Sequence, residues 1–158
     1  MAQKVKPVRE GYHTVTPYLI ITGAAKALDF YKRAFGAREV MRMDGPGGKV
    51  MHAEIKIGDS HIMLADEVPQ MGFRSPASLG GAGVGILLSV PDVDASAKQA
   101  IAAGAKVLRP VQDQFYGDRA GTFEDPFGHT WTISTHIEDV PPDELRKRAE
   151  AMCSGAGS

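Results

Sequence analysis

Apolar and polar positions alternate in short runs along this chain, and glycine or proline separates most runs from the next. Residues 14–21 (TVTPYLII) are β-branched and apolar and predict a strand. Ala27, Phe30, Tyr31, Ala34 and Phe35 then recur at helical spacing. They predict a helix over 24–35, with Thr22 as its cap and Gly36 as its left-handed stop. A strand at 38–43 runs into the breaker sequence Asp44-Gly45-Pro46-Gly47-Gly48. Strands at 50–57 and 60–66 meet across Gly58-Asp59, a two-residue hairpin signal.

The same order then repeats. Residues 84–90 (VGILLSV) predict a strand, and Pro91-Asp92 opens a helix over 92–103 with Val93, Ala97, Ala100 and Ile101 on one face. Gly104 ends that helix. Strands follow at 106–111, 119–124 and 129–135, the last two flanking the turn Asp125-Pro126-Phe127-Gly128. Gly36 and Gly104 stand 68 residues apart, and so do His61 and His129. A shared offset at a helix end and at a hairpin end marks an internal repeat of a β-α-β-β-β unit. A unit of about 60 residues is marginal alone, so the two are expected to pair as one domain over 1–158. Module 1 spans about 14–66, a Pro- and Gly-containing linker 67–82, and module 2 about 83–136. A charged helical tail covers 140–152. The expected fold class is α+β: paired modules forming a curved sheet, with helices on one face and a concave groove on the other.

Composition changes this picture little. Of 158 residues, 43% are apolar and 23% charged, as in an ordinary globular protein. A net charge of −1 gives no reason to expect nucleic acid or an anionic membrane as partner. The longest apolar runs are far shorter than a membrane span, and no apolar signal core follows the basic start MAQKVKPVRE. Cys153, the single cysteine, has no internal partner for a disulfide and reads as an incidental thiol in a reducing compartment, the cytoplasm.

The segments TPYLII, ALDFYKRAFGA, MHAEIKIGDSHIMLADE and DPFGHTWTIS together resemble the vicinal-oxygen-chelate superfamily, which includes glyoxalases, bleomycin-resistance proteins and dioxygenases. They look most like its PhnB-like branch. The resemblance covers residues 14–136 and implies paired modules, a ligand cavity on the concave face and a homodimer. It implies no single activity. In metal-dependent members such as glyoxalase I, His or Glu ligands stand on the first and last strand of each unit. Carried over, those places fall at Thr16 (or Pro17), Leu64, Gly85 and Thr132. Hydroxyls and aliphatics do not replace imidazole and carboxylate donors, so no metal and no other cofactor is expected.

Alternation along 50–57 sends Met51, Ala53, Ile55 and Ile57 toward the helices and His52, Glu54 and Lys56 into the groove. His52 and Glu54, two apart on one strand, suit either an acid/base pair or a half-solvated polar face. Tyr18 has groove parity. Ile62, Leu64, Leu87 and Ser89 are read as an apolar floor, and Thr132 as a hydroxyl beside it. Arg119, near the groove mouth, either clamps an anionic ligand or pairs with Asp118 or Asp125. Trp131 has core parity. His61 and His129 are read as turn or packing residues, and His13 and His136 as surface or edge residues. The expected ligand-binding set is thus Tyr18, His52, Glu54, Leu64, Leu87, Arg119 and Thr132. The expected function is metal-independent binding of a small organic molecule. The alternative is a lyase, isomerase or dioxygenase with a centre around His52 and Glu54.

Overall fold

Glycine and proline set the boundaries of the elements. A computed structural model describes residues 5–155. Strand β1 is Tyr18–Ile21, helix α1 Ala24–Phe35, and strands β2, β3 and β4 are Arg38–Asp44, Val50–Ile57 and Ser60–Asp66. Strand β1 is shorter than the run 14–21 because Pro17 has no N–H to extend a ladder; its carbonyl accepts from the Met63 N–H instead. Gly36, at φ 65°, closes α1 in the left-handed region.

The residues Pro69–Met71 and helix α2 (Pro76–Leu79) give the linker local helical turns. The second repeat then runs β5 (Gly85–Ser89), α3 (Val93–Ala103), β6 (Lys106–Asp113), β7 (Asp118–Glu124) and β8 (Thr130–His136). Helix α4 (Pro142–Gly155) follows, with Cys153 exposed on it. No helix among the described residues is long and apolar enough to cross a membrane.

Each repeat forms its own mixed four-stranded sheet. The orders β1-β4-β3-β2 and β5-β8-β7-β6 are the same topology written twice. In both, the outer pair (β1 with β4, β5 with β8) is parallel and the remaining pairs are antiparallel. This is the β-α-β-β-β unit and the α+β class that the offset predicts. The chain divides into two compact units at Gly83, with Pro126–Gly128 belonging to the first. Phe127 edges against Phe30 and Tyr31 there, at centroid distances of 6.1 and 6.4 Å.

In the first unit α1 packs across all four strands. Its Ala27, Leu28, Phe30, Tyr31 and Ala34 are buried, as are Ala53, Ile55 and Ile57 of β3; Met51, expected in the same row, is exposed, because a register shift pairs Asp44 with Val50 and passes Met51 over. Register decides β4. Ala53 pairs with Leu64 and Ile55 with Ile62, and directly opposed residues share a face. Leu64 and Ile62 therefore lie on the helix side, not on the groove floor expected of them. Asp66, of the same parity as Leu64, confirms this by reaching the start of α1. Thr22 does not cap α1. Gly23 occupies that place without a side chain, the Asp66 carboxylate accepts from the Gly23 and Ala24 N–H groups, and Thr22 bonds Ser75 instead.

In the second unit Asp92, expected at the opening of the helix, caps α3 from just outside it, accepting from the Ala95 N–H at 3.0 Å. Val93, Ala97 and Ala100 are buried. Ile101 is 47% exposed, because it lines the rim of an apolar depression of about 330 Å³ with Val107, Pro110, Val111 and Phe123. Trp131 is fully buried beside Phe123 and Ile133. Strand β6 tolerates Pro110 because it is an edge strand with a register irregularity between Arg109 and Gln112.

Candidate functional site

Strand register assembles one row across the first sheet on the face turned away from α1. Tyr18 on β1 pairs with Met63 on β4, Met63 with Glu54 on β3, and Glu54 with Met41 on β2. His52, two residues before Glu54, pairs with Met43. A carboxylate and an imidazole thus sit among three methionines and a tyrosine. Tyr18, Met41 and Met43 are exposed. Thioether side chains adapt to irregular ligands and contact aromatic rings favourably.

Hydrogen bonds join the polar members into a chain. The Tyr18 hydroxyl lies 2.7 Å from His52 Nδ1, and His52 Nε2 lies 3.1 Å from Glu54 Oε1. An ionised Glu54 accepts only, so Nε2 carries the proton and Nδ1 accepts from the Tyr18 hydroxyl. Glu54 is only 2% exposed, because the segment preceding β1 covers it. Arg9 donates to Oε1 at 2.9 Å, and the Tyr12 hydroxyl donates to Oε2. The Tyr12 ring stacks on His61 at 4.0 Å, and the Arg9 guanidinium lies 4.2 Å from the Tyr12 centroid. A turn between the Arg9 carbonyl and the Tyr12 N–H shapes this segment, and Gly11 passes the His61 ring edge at φ 82°.

Burial pushes the Glu54 carboxyl up, but hydrogen bonds from Tyr12, Arg9 and His52 outweigh it and hold the group at about 2, below its ordinary 4.5. Burial first, then the Glu54 charge, raises the Tyr18 phenol. A depressed carboxyl stabilises the fold above its unfolded value, and that contribution is lost as pH falls through the folded value. Glu54 should contribute on the order of 3 kcal/mol, lost between pH 4.5 and about 2. Urea unfolding across that window checks this: Glu54→Gln should show a shallower loss than the parent, and parallel curves would refute the assignment.

The other expected residues lie elsewhere. Leu64 is in the core of the first unit. Leu87 and Thr132 pair in register on the face of the second sheet away from α3, where Leu87 is 61% exposed and Thr132 bonds Thr122. Arg119 shares its strand face with Phe123, on the α3 side, not at a groove mouth. Its guanidinium is held bidentately by Asp94 of α3 and again by Asp113, rather than by Asp118 or Asp125. His136 is exposed and bridges Asp118 and Asp139, which raise its pKa.

At the places carried over for a metal, Leu64 faces the core, Gly85 has no side chain, and Thr16 and Thr132 offer neutral hydroxyls. Corrected for register, the open face of β4 presents His61, Met63 and Ala65. Among the described residues no three His, Cys, Asp or Glu side chains converge. This donor set does not fit a divalent transition metal.

The fold is a repeated β-α-β-β-β unit that carries a hydrogen-bonded Tyr18–His52–Glu54 row on the face of its first sheet away from α1. A family model matches residues 12–133, and the chain belongs to the Glyoxalase/Bleomycin resistance protein/Dioxygenase superfamily. It is 42% identical to an uncharacterized protein of Mycobacterium bovis, over 98% of this chain and 100% of that protein. Among solved structures it is similar to TioX from Micromonospora sp. ML1, with 28% identity and a TM-score of 0.63 over 79% of this chain and 99% of that one. It is also similar to an Arabidopsis thaliana gene product, with 29% identity and a TM-score of 0.62 over 78% and 98% of the two chains.

Proposed function

We propose that this protein is a metal-independent small-molecule-binding protein of the glyoxalase/bleomycin-resistance type, and that its ligand lies on the Tyr18–Met63–Glu54–Met41 row. That row carries the proposal: one ionised, hydrogen-bonded group set in an adaptable apolar surface suits an organic molecule of mixed polarity. Tyr18, His52 and Glu54 of the first unit remain in the proposed site; on the second unit, Leu87 and Thr132 form an apolar and hydroxyl patch of their own. The core placement of Leu64 and the two carboxylates on Arg119 remove those residues from it. The motif set supports assignment to the PhnB-like branch. We also infer a cytoplasmic homodimer: Cys153 is a free thiol, and edge strand β2 exposes Val40, Met41 and Met43.

Methionine-methyl NMR during titration with small aromatic compounds tests the site. Signals of Met41, Met43 and Met63 should shift, with those of Met152, on α4 of the second unit, unchanged; shifts confined to other methionines would remove the site from this face. Light scattering on the same sample should give twice 16.9 kDa, and a concentration-independent 16.9 kDa would reject the dimer.

The hydrogen-bonded chain Tyr18–His52–Glu54 favours a second reading, general acid–base catalysis. The exposed Tyr18 oxygen would exchange a proton with substrate, His52 Nδ1 would take or return the phenolic proton, and Glu54 would hold the tautomer and balance the imidazolium. If a ligand found by titration is chemically converted, and His52→Ala stops conversion while binding persists, this reading replaces the first.

A further inference from the structure

The buried carboxylate of Glu54 is satisfied by an unusual set of groups. Its two donors from outside the sheet, Arg9 and Tyr12, come from a segment more than forty positions earlier in the chain. That segment crosses the open face as a short turn and holds itself there by polar and ring contacts: guanidinium on carboxylate, phenol on carboxylate, ring on imidazole. Arg9 itself remains exposed, with 58% of its side chain accessible. Together, a planar cation lies over an aromatic ring, with both directed at one anion and one aromatic platform.

We propose that the Arg9–Tyr12 segment is an internal substitute for the protein's ligand, and that the face it covers accepts an organic cation bearing an aromatic ring. The proposal rests on the reading of this face as the ligand site and adds the ligand's chemical class and a strap that competes for it. Three features carry it. An ionised group buried in an apolar surface demands a cationic partner, so whatever displaces Arg9 must bring positive charge. Uncovering the face would also release His61, whose ring offers a stacking platform and whose buried Nδ1 has no hydrogen-bond partner among the described residues. The methionines beside Glu54 supply apolar contact for a ring of variable shape. The strap must leave for the ligand to enter, so the observed affinity is the intrinsic affinity reduced by the fraction of molecules with the strap open.

The test compares benzamidine, an aromatic cation, with benzamide, its neutral counterpart, by calorimetric titration of the full-length protein. In Arg9→Ala/Tyr12→Ala, benzamidine should bind at least roughly tenfold more tightly than in the parent, as expected if the strap is open in a tenth of parent molecules or fewer. Benzamide, which brings no charge to Glu54, should bind that variant at least roughly tenfold more weakly than benzamidine does. Adding Glu54→Gln to the double variant should erase the preference for benzamidine. In the unaltered protein benzamidine should also accelerate hydrogen exchange at the Tyr12 amide, which bonds the Arg9 carbonyl when the strap is closed. That measurement stands if the double variant folds poorly. Unchanged benzamidine affinity, equal affinity of the double variant for both probes, or a cation preference that survives Glu54→Gln would overturn the proposal. If both probes shift Met41 and Met63 without any cation preference, the ligand face stands and the strap inference fails. If neither probe perturbs that face in any variant, both fail.

Discussion

Trp131→Ala should be the most damaging single substitution considered, costing roughly 3–5 kcal/mol. Trp131 is fully buried on β8 and pairs in register with Phe123 and Ile86, so its ring fills the space between the sheet and α3. Alanine removes the largest buried side chain in the protein and leaves a cavity that the rigid cross-strand ladder cannot collapse around. A second loss adds to the first. The indole Nε1 donates to Asp125 Oδ2 at 2.9 Å, while Asp125 Oδ1 accepts from the His129 N–H at 2.9 Å. Asp125 is 3% exposed, so losing a donor leaves its buried charge less well satisfied. Trp131→Phe separates the effects, keeping most of the ring volume while deleting the donor, and should cost about half as much. Urea unfolding of both variants measures the difference; a cost below about 1 kcal/mol for alanine would mean that this packing is not what holds β8 against α3.

The features visible in the sequence were those with short-range causes. Helix ends at Gly36 and Gly104, the hairpin at Gly58-Asp59 and the core parity of Trp131 each depend on a few neighbouring residues. Their common offset revealed the repeat, and the two matching strand orders bear it out. Strand β4 escaped because both of its faces are apolar: Ile62 and Leu64 alternate with Met63 and Ala65, so hydrophobicity alone does not choose between them. Only pairing with Ala53 and Ile55 does, and that reverses Leu64 and Met63. The methionines of the site were overlooked for the same reason, since apolar strand residues read as core. Arg9 and Tyr12 left no periodic signal, because they act across 45 and 42 positions on Glu54. A basic and aromatic pair just ahead of the first strand was the one available hint. The loop preceding Arg119 suggests a groove mouth, but strand parity turns its side chain toward Asp94 on α3.

Asp66 shows the same contrast between local and distant causes, and Asp66→Ala should cost on the order of 3 kcal/mol through backbone groups alone. Helix α1 begins with N–H groups that have no partner within the helix, and Gly23 at the cap position has no side chain to offer them. Asp66, at the end of β4, supplies the missing acceptor: Oδ1 takes the Gly23 and Ala24 N–H groups at 2.9 and 3.0 Å. Its negative charge also opposes the positive end of the helix dipole. Oδ2 takes the N–H of Val50 at 2.8 Å, fixing the start of β3, the strand that carries His52 and Glu54. One side chain therefore ties together the helix, the strand and the register of the proposed ligand face. Alanine would leave all three donors without it, two of them at a helix start. Asp66→Asn keeps one oxygen for the helix but turns an N–H₂ group toward the Val50 N–H, so an intermediate cost of about 1.5 kcal/mol is expected. Hydrogen exchange should report the change at named sites, with faster exchange at Ala24 and Val50 in the alanine variant and chiefly at Val50 in the asparagine variant. A loss below about 1 kcal/mol for Asp66→Ala, with both amides still protected, would show that other groups supply these caps.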